Sequence, residues 1–99
     1  MRCWRIVRVT GARLRQLIEA LRRSGGGSVA VAEAGIVAAL RVMARQGIFL
    51  EPASAAAVAA LDRLLESRAL SPRETTVVLL TGTGVKAAPQ IAALLEGAA

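Results

Sequence analysis

Ninety-nine residues give room for one domain whose core buries roughly two-thirds of the unfolded surface, which excludes a multidomain enzyme within them. The composition is 55% apolar and 20% charged, which argues against disorder, and Arg41, Arg45, Glu51, Asp62 and Arg63 interrupt every apolar run before the ~18–20 residues that span a membrane. The net charge of +6 resides in residues 1–23, where Arg2, Arg5, Arg8, Arg13, Arg15, Arg22 and Arg23 face Glu19 alone, and the remainder balances six basic against six acidic residues.

Cys3 is the single cysteine and there is no histidine. An intrachain disulfide, a zinc centre of the usual kind and a histidine-based triad are thereby excluded, and no metal site and no catalytic residue are assigned.

Taken in chain order, Arg5 to Val9 alternates charged and apolar residues, as a short edge strand does. From Gly11 the period becomes helical, with Leu14, Leu17, Ile18 and Leu21 on one face and an end near Arg23. Ser24 to Gly27 breaks this helix, because glycine accepts the positive φ of a helix C-terminus. Val29 to Val31 is a minimal strand. Ile36, Val37, Leu40, Met43 and Ala44 then form a second amphipathic face that closes at Gly47.

Pro52 opens a third helix, since its missing N–H is harmless in a first turn. The stretch Ser54 to Glu66 is rich in alanine, which predicts close packing against other backbone, with Val58, Leu61, Leu64 and Leu65 as its buried edge. Ser71, Pro72 and Glu74 predict a turn. Thr75 to Leu80 is a β-branched and leucine run without alternation, the pattern of a strand covered on both faces. It runs into Thr81-Gly82-Thr83-Gly84, and a last amphipathic segment carrying Ile91, Leu94 and Leu95 follows Pro89. The order of elements predicts an α/β fold with helices packed on a short parallel sheet.

Thr81-Gly82-Thr83-Gly84 at a strand end is the strongest local signal, because ligands of open parallel sheets sit beyond the carboxyl ends of strands. It has neither the spacing of a dinucleotide loop nor that of a P-loop, and it also reads as an ordinary strand-to-helix turn. Glu51, just before a helix start, reads as favourable charge at the dipole, with Ser54 serving the first turn. Lys86, the sole lysine, reads as solvated. Trp4 and Phe49 are too few for a base-stacking platform, so nucleic acid is not the expected partner.

The pieces Ser24-Gly25-Gly26, Val29-Ala30-Val31, Gly47-Ile48-Phe49-Leu50-Glu51-Pro52-Ala53-Ser54-Ala55 and Val77 to Lys86, in that order, resemble the carboxy-terminal part of the threonine synthase family. These are fold type II enzymes dependent on pyridoxal phosphate. The resemblance runs from about Ile6 to about Pro89, and implies that residues 1–99 form a single partial domain of a larger fold. It implies a pyridoxal phosphate site in which Thr81 bonds the pyridine nitrogen and Gly82 and Glu51 line the cofactor edge. The parent reaction converts O-phosphohomoserine and water into threonine and phosphate in the cytoplasm.

The family's cofactor-bound lysine lies in an amino-terminal segment that nothing here matches, and Lys86 corresponds to a later lysine. Ala87-Ala88-Pro89 replaces the family's usual Asp-Pro, and Glu33 alone stands for an acidic helix start. The chain is therefore expected to be a carboxy-terminal fragment that does not catalyse alone. Its expected partners are the parent's small-molecule substrate, a complementary amino-terminal chain or a second copy, with no membrane. Two alternatives stand beside this reading: a small basic module that binds an anionic partner through Arg13 to Arg23, and a piece of a sibling threonine or serine ammonia-lyase.

Overall fold

The computed structural model describes residues 4–6 and 14–97, and the chain divides into two compact units, residues 1–30 and residues 31–99. The first holds β1 (Trp4–Ile6), α1 (Leu14–Ser24) and β2 (Gly27–Val29). The two strands run parallel, with Trp4 opposite Gly27, Arg5 opposite Ser28 and Ile6 opposite Val29. The edge strand expected from Arg5 to Val9 is thus seen over Trp4–Ile6, its later residues lying outside the described ones, and the second strand starts earlier than expected.

Helix α1 ends as its glycines require. Gly25 takes φ +68°, and the amides of Gly25 and Gly26 donate to the carbonyls of Arg22 and Leu21, which satisfies the last turn. Arg15, Arg22 and Arg23 are exposed, and Arg23 pairs with Glu19 at 2.7 Å one turn away. Such exposed pairs contribute roughly 0–1 kcal/mol.

The second unit contains α2 (Glu33–Arg45), α3 (Pro52–Glu66), a single 3-10 turn (Gly84–Ala87) and α4 (Ala88–Gly97). Gly47, at φ +82°, closes α2 by the same device, its amide and that of Ile48 donating to Ala44 and Met43. The core joins Ala39 and Leu40 of α2, Leu50 of the segment before α3, Ala55 and Ala59 of α3, and Ile91 of α4, with Ile36, Met43, Val58 and Leu94 packed around it. Arg41 also reaches from α2 to the Leu95 carbonyl at 3.4 Å.

The alanine-rich helix packs closely, as its composition implies: a Cβ at Gly35 of α2 would stand 3.7 Å from the Ala59 Cβ. Close approach also changes which residues are buried. Ser54, Ala55, Ala56, Ala59, Ala60 and Leu64 form the buried face, whereas Val58, Leu61 and Leu65, expected inside, are half-buried. Small side chains occupy the line of contact and the larger ones ring it.

Thr75 to Leu80 departs from the expected covered strand. Ser71 begins the turn as read, accepting the Glu74 amide at 3.0 Å, but the run after it has no ladder partners, with Val77 81% and Leu79 75% exposed. Among the described residues no strand lies beside it, and an unpaired segment is not a sheet strand whatever its propensity. Leu50 and Thr83 form an isolated antiparallel bridge. Among the described residues no helix is long and apolar enough to cross a membrane.

Candidate functional site

The Thr81–Gly84 turn is fastened to the segment that leads into α3. On either side of the Leu50–Thr83 bridge, the Gly84 amide donates to the Phe49 carbonyl at 3.0 Å and the Glu51 amide donates to the Gly82 carbonyl at 3.2 Å. The two glycines leave room for this approach in different ways. A Cβ at Gly84 would stand 2.8 Å from the Leu50 carbonyl oxygen and from the Phe49 ring, and one at Gly82 would overlap the Glu51 carboxylate.

Ser54 completes the fastening from the first turn of α3. Its Oγ accepts the Gly82 amide at 3.1 Å and lies 3.5 Å from Thr81 Oγ1. Among the described residues it is the buried polar one, 2% exposed, and a buried hydroxyl left without partners costs about 1–3 kcal/mol.

The three residues singled out in the sequence therefore converge. Thr81 is exposed at the tip of the fastened turn, Gly82 is half-buried against Ser54, and Glu51 is half-buried beside Gly82. Glu51 does occupy the position before the first turn of α3, but its side chain makes no capping hydrogen bond. Ser54 likewise does not serve its own helix start. Its hydroxyl is turned to the distant loop, which offers it two partners.

The two threonines of the turn have separate tasks. Thr83 precedes the 3-10 turn, and its Oγ1 accepts the Val85 amide at 3.4 Å, whereas Thr81 has Ser54 as its side-chain partner and an open side. Lys86 is exposed on the 3-10 turn that follows.

Sequence reasoning missed Ser54 as the organiser of this site. The signal was present: Ser54, Val58, Leu61 and Leu65 recur at helical spacing, so a hydroxyl stands on an apolar stripe. A polar group in that place requires a partner from another element.

The sequence pattern of the pyridoxal-phosphate dependent enzymes matches residues 6–82, a stretch that ends on the fastened turn. The chain belongs to this family. The family is that of the pyridoxal-phosphate dependent enzymes of fold type II.

Within the pyridoxal-phosphate dependent enzymes it is similar to threonine synthases. It is 43% identical over 70 residues to the threonine synthase of Methanocaldococcus jannaschii, covering 70% of this chain and 17% of that enzyme. For the threonine synthase of Methanosarcina acetivorans the identity is 42% over 66 residues, covering 66% and 16%. For that of Mycobacterium leprae it is 37% over 70 residues, covering 70% and 19%. The chain thus spans less than a fifth of the length of these three relatives.

Proposed function

We propose that residues 1–99 are part of one domain of a threonine synthase-like enzyme, and that they supply the wall of its cofactor site facing the pyridine nitrogen. Thr81 bonds that nitrogen, Gly82 lets the turn lie close to α3, and Glu51 lines the adjoining edge. The observation that carries this reading is the fastening of the turn, which holds the neutral hydroxyl of the exposed Thr81 3.5 Å from Ser54 Oγ on a turn tied to α3 through Ser54 and Glu51. A neutral hydroxyl matches an uncharged ring nitrogen, whereas a carboxylate partner would favour its protonated form. When bound, pyridoxal phosphate supplies an electron sink for chemistry at an amino-acid carbon.

The parent reaction on this reading turns O-phosphohomoserine and water into threonine and phosphate in the cytoplasm. Residues 1–99 alone do not perform it, because the lysine that holds the cofactor has no counterpart among them. In the complete domain Thr75 to Leu80 joins a parallel sheet. The uncharged, β-branched character of the run and the exposure of Val77 and Leu79 support this. The strands beside it come from a complementary amino-terminal segment or from a second copy.

Adding pyridoxal phosphate to the isotope-labelled chain tests the site. The amide signals of Glu51 and Thr81 to Gly84 are expected to move together, and movement spread over the arginines of α1 instead would refute the assignment. Borohydride reduction of the same mixture is expected to leave no pyridoxyl group on Lys86. A stable label there would overturn the statement that the chain lacks its covalent machinery.

A further inference from the structure

The Ser54 hydroxyl has one proton, and burial decides where it goes. The oxygen accepts the Gly82 amide at 3.1 Å, and the side chain is cut off from solvent at 2% exposure. Among the described residues, Thr81 Oγ1 at 3.5 Å is the acceptor within reach of that proton. The distance alone permits either hydroxyl to donate. Thr81, however, is exposed, so water or a ligand can receive its proton, while Ser54 has no such outlet. A buried donor takes the partner it has.

The order of donation is therefore Gly82 N–H to Ser54, Ser54 O–H to Thr81, and Thr81 O–H outward. The reverse order would turn the Thr81 proton inward and leave only lone pairs on the open side.

We propose that Ser54 is a positioning residue that keeps the Thr81 hydroxyl available as an outward donor, so that the site selects an unprotonated ring nitrogen. The proposal rests on the assignment of Thr81 to the pyridine nitrogen made above. Ser54 touches no ligand in this scheme and acts through Thr81 alone.

The test uses pyridoxal phosphate labelled with 15N in the ring, added to the purified chain at one fixed pH. The ring-nitrogen shift reports the hydrogen bond, and the Gly82 amide signal reports whether the turn is fastened. The unaltered chain is expected to move the ring signal upfield while it stays in the unprotonated range, and Thr81→Val is expected to abolish the movement.

Ser54→Cys is the conservative variant, because a thiol keeps a weak acceptor under the Gly82 amide while its S–H is only a weak donor toward Thr81, and the Gly82 signal reports whether that acceptor still holds the turn. It is expected to lose most of the ring shift while the Gly82 signal stays near its place. Ser54→Ala is expected to lose the ring shift as well, and Ser54→Cys decides the matter where the alanine variant also releases the turn. A full ring shift in Ser54→Cys would reduce Ser54 to a fastener of the turn and overturn the proposal, with the Thr81 assignment intact. No shift in the unaltered chain, or the same shift in Thr81→Val, would remove that assignment and the proposal with it.

Discussion

The carboxylate of Glu51 fills the space that a side chain at position 82 would need, while the Glu51 amide donates to the Gly82 carbonyl at 3.2 Å. Position 84 is enclosed differently. There the obstacle is the Leu50 carbonyl oxygen, a backbone atom of the bridge itself, together with the Phe49 ring, both at 2.8 Å.

The two glycines should therefore respond unequally to alanine. In Gly82→Ala the Glu51 side chain can swing aside, and the loss is expected to stay below about 1 kcal/mol. In Gly84→Ala backbone must move, with an expected loss of about 1–3 kcal/mol. Urea unfolding of both variants measures the difference, and equal losses would contradict the arrangement of Phe49 and Leu50 over Gly84.

The contact between α2 and α3 gives a second contrast. A methyl at Gly35 meets the Ala59 Cβ at an ordinary 3.7 Å, and alanine is the better helix former by roughly 0.5–1 kcal/mol. Gly35→Ala is expected to stabilise the chain by up to about that amount. Ala59→Leu, which forces a large side chain into the same contact, is expected to destabilise it by about 1–3 kcal/mol. Thermal unfolding should place the two variants on opposite sides of the parent.

Helix α3 closes without a glycine. Arg68 holds φ +61°, with its amide donating to Leu65 at 3.1 Å, in a region that disfavours a Cβ by roughly 1 kcal/mol. Arg68→Gly is expected to stabilise the chain by up to about 1 kcal/mol in denaturant unfolding, less than α1 or α2 would lose if Gly25 or Gly47 became alanine.

Val77 and Leu79 lend themselves to a solubility experiment. Both are exposed and lie in an uncharged β-prone run, the composition that promotes intermolecular strand pairing. Val77→Lys with Leu79→Lys is expected to change unfolding stability by less than about 0.5 kcal/mol per site and to suppress concentration-dependent association in sedimentation velocity. A large loss of stability would mean that these side chains pack where the structure has them exposed.

The helices were legible because each is marked by local chemistry: glycine after α1 and α2, Pro52 at the start of α3, and apolar residues at helical spacing in all four. Thr81, Gly82 and Glu51 were reached through the order of motifs in the chain, and the structure brings them together. Ser54 was assigned a local task because sequence distance hides a partner 28 positions away. Thr75 to Leu80 went astray for a different reason. Its residues express a preference for pairing, and whether pairing happens depends on a neighbour that lies outside the segment.

The fastening between Ser54 and Gly82 has a consequence for how the second unit holds together. Leu70 is buried on one side of the exposed run, and on the other side the bridge at Thr83 and the insertion of Ile91 anchor the chain to the core of Leu40, Leu50, Ala55 and Ala59. Covalent continuity between residues 71 and 80 is therefore not what keeps α4 in place. A protease cut within that run would yield two polypeptides that remain associated, each contributing one face of a shared core.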